Sequence, residues 1–245
     1  MTKGAVLILG GRSDIGLAIA HAFAAAGHPV MLAARGPETL EADRADLALR
    51  HGVTVTLHAF DALDTASHAA FVDALPSLPA IAVCAVGAMG VQAKDEHDPA
   101  AAIAVMRANF EGPATILAIL ADRFEARGRG TLVGISSVAG ERGRATNYIY
   151  GAAKAGFTAY LSGLRNRLAK QNVHVLTVLP GFVATRMTAG MDLPARLTAT
   201  PAAVGAAVLH AVERKRNVIY VKPVWRLVMA VIKAIPEPVF KKLKL

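Results

Sequence analysis

Seven short runs of aliphatic and β-branched residues punctuate this chain, and helical patterns fill the intervals between them. The runs cover residues 5–9, 30–33, 53–57, 81–85, 131–135, 173–179 and 218–221, and the helical patterns cover 15–26, 38–51, 66–75, 99–126, 147–171 and 201–214. Apart from Val53-Thr54-Val55-Thr56-Leu57, the runs lack a regular polar/apolar alternation, so those strands have to be covered on both faces. Strands of that kind alternating with helices predict one α/β domain, a doubly wound, seven-stranded parallel sheet with helices on both faces. Two further facts agree: 245 residues suit one such domain, and a 54% hydrophobic composition supplies the core. The single cysteine, Cys84, excludes an internal disulfide, and no metal cluster is expected. The first apolar run is too short for a signal-peptide core, and no stretch reaches the roughly 20 apolar residues of a membrane span. A cytoplasmic protein is the expectation, with any membrane contact made from its surface.

The first run leads into Gly10-Gly11-Arg12-Ser13-Asp14-Ile15-Gly16 and then a helix. Gly10 suits the tight turn out of a strand, and Gly16 lets helix and sheet approach closely. The helix start offers unpaired N–H groups and a positive dipole end to a pyrophosphate, which makes this a candidate dinucleotide loop of the Rossmann type. Asp14 stands where that fingerprint has its middle glycine, and its carboxylate suits a phosphate site only if it points away. Past the second run comes Arg35, where an acidic residue would favour NAD(H). Arg35, with Arg12, would instead pair with a 2′-phosphate, so NADP(H) is favoured and NAD(H) stays open. The alternative is a solvated arginine at a strand end. Asp61 and Ala62, after the third run, are placed to meet the adenine.

Tyr150 and Lys154 lie four apart on a predicted helix and share a face, and Ser137 precedes Tyr150 by thirteen residues. A nearby ammonium favours the phenolate, which would make tyrosine a usable acid/base. Tyr148 lacks a lysine at that spacing, and Ser136 reads as a buried strand-end residue. Taken in order, the Gly10–Gly16 loop, Asp61, Asn109, Ser137, Tyr150-x-x-x-Lys154 and Pro180-Gly181 with Thr185 resemble the short-chain dehydrogenase/reductase family across essentially the whole chain. The resemblance implies that Tyr150 passes a proton to a substrate carbonyl while the cofactor delivers hydride. It implies that Ser137 orients that oxygen, that Lys154 binds the nicotinamide ribose and lowers the tyrosine pKa, and that Asn109 holds a water. Gly87, Pro180, Gly181, Val183 and Thr185 would line the cofactor, and the partner expected is a second copy of the chain, as homodimer or homotetramer. The alternative for Asn109 is a cap on a turn in a long helix. Cys84-Ala85-Val86-Gly87 stands where the family has Asn-Asn-Ala-Gly, so packing behind the fourth strand is expected to differ.

Several segments (60–65, 139–142 and 183–187, with the tail from Trp225 to Leu243) resemble a narrower group, the decaprenylphosphoryl-2-keto-β-D-erythro-pentose reductases. That resemblance implies a carbonyl reductase acting on a lipid-linked keto-sugar or other bulky substrate. Soluble ketones or acyl thioesters remain an alternative, as does a cofactor sensor without turnover. Residues 222–245 form a basic, apolar extension beyond a catalytic domain at 1–221, carrying +5 of the chain's +9 on Lys222, Arg226, Lys233, Lys241, Lys242 and Lys244 against Glu237. On a helix over 224–235, Trp225, Val228, Met229, Ile232 and Ile235 supply an apolar face beside the basic residues, a pattern that suits a membrane surface. Packing on the domain is the other reading. No zinc motif or aromatic platform accompanies the charge, so a nucleic-acid partner is not expected.

Overall fold

In β1 (Val6–Leu9) every residue is buried, and so is every residue of β2 (Val30–Ala34) and β4 (Ile81–Cys84). Runs that are apolar at successive positions bury both faces of a sheet, and here they do. The computed structural model describes residues 3–243; Met1, Thr2, Leu245 and the tail's Lys244 lie outside them. Its single sheet adds β3 (Val55–Ala59), β5 (Gly130–Ile135), β6 (Val173–Pro180) and β7 (Val218–Val221) in the order β3-β2-β1-β4-β5-β6-β7. Every pairing is parallel, as Val6 against Val30 on one side and Ile81 on the other illustrate.

The pleat divides the core. Val6 and Ile8 face one layer, with Ile19 and Phe23 of α1 (Asp14–Ala25), Leu47 of α2 (Glu41–His51) and Val204 and Val208 of the helix over Pro201–Glu213. Leu7 and Leu9 face the opposite layer, which includes Val72 of α3 (His68–Asp73). After α4 (Gln92–Asp95), α5 (Pro99–Met106) runs through a π-helical turn at Arg107–Glu111 into α6 (Gly112–Arg127). Ile116, Leu117, Leu120 and Phe124 of α6 complete that layer with Phe157 and Leu161 of α7 (Tyr148–Leu168). The helix carrying Val204 and Val208 is α8 (Pro201–Glu213), and α9 (Val224–Ala234) and α10 (Glu237–Phe240) close the described chain.

Among the boundaries that differ from the sequence expectation, three have a clear physical reason. Gly52, at φ 64°, caps α2, and the chain needs the next two residues to reach the sheet, so β3 starts at Val55. A 3₁₀ turn over Thr65–Ser67 shortens α3. The helix expected over 99–126 is continuous in path but widens at Arg107–Glu111, where i→i+5 bonding accommodates an extra residue per turn. From Pro99 to Arg127 it is long and apolar enough to cross a membrane by length and composition. Its inner face, however, is fully buried under the sheet through Ile116, Leu117, Leu120, Ala121 and Phe124.

Helices α1 and α8 meet closely because Gly205 carries no side chain: a Cβ there would fall 2.4 Å from the Ala18 carbonyl oxygen. Gly205→Val should therefore push the helices apart and destabilise the protein by about 2 kcal/mol. Thermal unfolding should show a drop in Tm of roughly 4–8 °C, whereas Gly163→Ala, where a Cβ meets nothing within 4 Å, should lower it little. Equal Tm values for the two variants would show that this contact is not tight.

Candidate active site

The connections leaving β1 and β4 diverge, and the carboxyl ends of the strands open there into a cavity of about 1020 Å³. Gly10 sits at φ 88°, and a Cβ on it would fall 2.9 Å from the Ala85 carbonyl; one on Gly16 would fall 2.5 Å from the Gly10 oxygen. Both glycines are thus required by close backbone approach. Ser13 caps α1: its hydroxyl donates to the Gly10 carbonyl at 2.8 Å and accepts from the Gly16 N–H at 2.9 Å. The start of α1 consequently opens on the cavity beside Arg12, Asp14 and Ile15. Arg35 and Arg12 are exposed at the far rim, where an Arg12 N–H donates to the Arg35 carbonyl at 3.4 Å. Asp61 also lines the cavity and accepts the Leu63 N–H at 3.0 Å, while Ala62 is buried with its carbonyl against Gly112. This cradle fits a dinucleotide: helix N–H groups stand where a pyrophosphate would lie, and two guanidiniums where a 2′-phosphate would lie.

The Asp14 carboxylate is tied to Arg186. It accepts the Arg186 backbone N–H at 2.7 Å and the Arg186 Nε–H at 2.8 Å, while the same guanidinium donates to the Arg12 carbonyl. The pairing neutralises the anion and straps the chain after β6 across the first strand–helix turn.

At the inner end of the cavity, β5 and α7 bring Ser137, Tyr150 and Lys154 together. Lys154 is almost fully buried and donates to the Ile135 carbonyl at 3.0 Å; burial pulls its pKa down to about 8. Burial pushes the Tyr150 phenol up, and a hydrogen bond with the Ser137 hydroxyl works the other way. Lys154 Nζ lies 5.7 Å from the Tyr150 ring centroid, and the net shift of the phenol is upward, against the lowering expected from sequence. Ser136 turns inward instead, its hydroxyl bonded to the Lys154 carbonyl at 3.0 Å and to Thr158 at 2.6 Å. Tyr148 is largely exposed. Asn109, in the π-helical turn, is fully buried; its Nδ2 donates to the Val105 carbonyl at 2.8 Å and to the Ala88 carbonyl, and its Oδ1 has no protein partner. That oxygen and Lys154 Nζ flank Gly87, where a Cβ would lie 2.7 and 3.4 Å from them. Cys84, replacing an asparagine of the family pattern, is buried, which drives its thiol up to about 11.

Pro180, Gly181, Val183 and Thr185 line the third side. A Cβ on Gly181 would overlap the Trp225 indole at 1.9 Å, so this glycine is needed because α9 packs Trp225 against it. This corrects the expected face of the tail helix. Trp225 and Met229 are buried against Val138 and Leu179, and the Trp225 N–H donates to the Leu197 carbonyl at 3.0 Å. Lys222 donates to the Ala195 and Arg196 carbonyls, and Lys233 pairs with Glu141. The apolar residues that α9 does expose are Val224, Leu227 and Val231. Arg142 holds the end of α9 through the Ile232 and Ile235 carbonyls at 2.6 and 2.7 Å. Sequence reasoning missed Trp225, Phe182, Arg144 and Asn147 as cavity residues; no local pattern marks any of them, because separate elements bring them together.

Residues 4–194 match the family model for short chain dehydrogenases. An uncharacterized oxidoreductase of Mycobacterium tuberculosis is 38% identical over 241 residues, covering 97% of this chain and 96% of that protein. Among solved structures, a short-chain dehydrogenase from Sphingobium yanoikuyae in complex with NADPH superposes with a TM-score of 0.82 at 26% identity, over 96% of this chain and 97% of that one. A 3-oxoacyl-[acyl-carrier protein] reductase from Brucella melitensis in complex with NAD gives a TM-score of 0.78 at 26% identity, over 90% of this chain and 96% of that one.

Arg186→Met should leave the Asp14 carboxylate unpaired beside the cradle. NADPH affinity, followed by cofactor fluorescence, should fall about tenfold, which is about 1.4 kcal/mol. Adding Asp14→Gly should restore most of that loss. An unchanged affinity in the single variant would show that the carboxylate does not sense the phosphates.

Proposed function

This chain belongs to the short-chain dehydrogenase/reductase family and is an NAD(P)-dependent oxidoreductase, and from that premise we propose that it reduces the carbonyl of a bulky, lipid-linked substrate such as a keto-sugar, with NADP(H) as cofactor. The observation that carries this reading is the Ser137–Tyr150–Lys154 group in a cavity that Val91, Phe182, Met187, Met191 and Trp225 also line.

The nicotinamide, when bound, supplies the hydride. The chain's own residues supply proton and orientation. Burial keeps the Tyr150 phenol protonated at neutral pH, so it stands ready to donate to a carbonyl oxygen. Ser137, hydrogen-bonded to that phenol, can hold the same oxygen. Lys154, with a pKa of about 8, carries its charge at neutral pH and stabilises the oxyanion left on Tyr150 after transfer. Asn109 Oδ1, buried and lacking a protein partner beside Lys154, suits an acceptor in a proton path back to that lysine. Gly10, Gly16 and the start of α1, with Ser13 as its cap, would hold the pyrophosphate. Asp61 and Ala62 would meet the adenine, and Gly87 with Pro180–Thr185 the nicotinamide.

NADP(H) is favoured over NAD(H) because Arg12 and Arg35 both line the cavity and the residue directly after β2 is an arginine rather than an acid. The bulky substrate is favoured by Val91, Phe182, Met187, Met191 and Trp225, which give the remaining wall an apolar surface. Turnover of small polar ketones, with none of long-chain ketones, would return the substrate to the soluble class.

Tyr150→Phe should reduce kcat by about 10²–10⁴-fold, the range of a lost general acid, while the NADPH dissociation constant stays within about twofold. Substantial residual turnover would sink the mechanism. Arg35→Asp should weaken NADPH about 10–100-fold, as expected for losing a charged hydrogen bond worth about 1.5–3 kcal/mol, and should spare NADH. Equal losses for both cofactors, read by the same fluorescence titration, would remove the basis for choosing NADP(H).

A further inference from the structure

Five cationic side chains line the cavity, and four have an assignment: Arg12 and Arg35 at the adenosine rim, Arg186 on Asp14, and Lys154 on the Ile135 carbonyl. Arg144 is the fifth. It lies in the loop between Ser137 and α7, on the side of the cavity that holds Ser137, Asn147 and Tyr150. No carboxylate pairs with it among the described residues. The acid nearest in sequence, Glu141, uses one oxygen to accept from Tyr220 at 2.9 Å and from Lys233 at 2.6 Å while its other oxygen is buried without a partner, and Glu237 pairs with Arg142. Arg144 Nε is buried and has no hydrogen-bond partner, and the same is true of Asn147 Oδ1 three residues on. Burial accordingly pulls the guanidinium pKa down.

Arg144 is partly buried, with its Nε out of water and lacking a partner, and a half-withdrawn guanidinium without a counter-anion is stabilised when a ligand brings one. Arginine presents a planar fork suited to carboxylate or phosphate. The surrounding wall offers Val91, Phe182, Met187, Met191 and Trp225, so the ligand must bring apolar bulk along with its charge. We propose that the substrate is an anionic amphiphile whose carboxylate or phosphate is bound by Arg144, with Asn147 Oδ1 accepting a hydroxyl or N–H from the same molecule. The proposal rests on the reductase reading for its site, but its test needs no turnover.

Trp225 is the chain's single tryptophan and lines the cavity, so its fluorescence reports occupancy directly. The probes are decanoate, decyl phosphate and decanol, titrated into the NADPH-loaded protein below their micellar concentrations. At least one anion should bind tenfold or more tightly than decanol, and which of the two leads identifies the headgroup. In Arg144→Met that gap should close, and in Arg144→Lys, which keeps the charge without the fork, part of it should remain. In Tyr150→Phe the gap should persist while turnover is lost, which separates this proposal from the catalytic one. Decanol binding as tightly as both anions, a gap that survives Arg144→Met, or no binding of any probe would each overturn it.

Discussion

A parallel sheet sends every strand's carboxyl end to the same edge, and the whole site is a consequence of that constraint. Gly10 follows β1, Arg35 follows β2, Asp61 follows β3, Gly87 follows β4, Ser137 follows β5 and Gly181 follows β6. The chain reverses its winding between β1 and β4, so the helices there do not cover the edge, and a crevice remains. The backbone contact of Gly10 with Ala85 sets the depth of that crevice: with both residues small, the loops after β1 and β4 touch, and the start of α1 faces the opening.

Charge is handled differently at each end of the crevice. At the rim, Arg12 and Arg35 remain in solvent, where an unpaired guanidinium costs little. Asp14 would oppose an anion, and Arg186 cancels it through a backbone and a side-chain donor. At the inner end, Lys154 is kept by a carbonyl rather than a carboxylate, which leaves it a cation of reduced pKa beside the phenol. A paired carboxylate in that place would fix the lysine charge and quench its influence on Tyr150. On the same side of the cavity, no carboxylate among the described residues pairs with Arg144.

The C-terminal helix is part of this cavity rather than an appendage. Glu141 and Arg142, directly after the turn that carries Ser137, hold α9 through Lys233, Glu237 and the helix-end carbonyls. Phe240 lies under the Arg142 guanidinium at 3.6 Å. The anchor fixes Trp225 against Gly181 and under the segment after β6, so one helix braces both the cofactor side and the substrate side. A sequence read as a helix with a basic and an apolar face has two apolar stripes, and the one carrying Trp225 and Met229 belongs to the core.

Much of this was legible in the residues because it depends on local order. Uninterrupted apolar runs require a sheet covered on both faces, glycines at 10 and 16 require close backbone approach, and a four-residue spacing puts Tyr150 and Lys154 on one helical face whatever surrounds them. Local order does not determine which distant chain segment arrives beside a residue, and that is where only the tertiary structure decided. Asp14 finds Arg186 across the sheet, Trp225 finds Gly181, Asn109 enters a π-helical turn that no periodicity announces, and Arg144 reaches the cavity without a counter-anion. Spacing along the chain sets chemistry within one element. Desolvation and pairing between elements set the charge and reach of each group, and those are properties of the packed molecule alone.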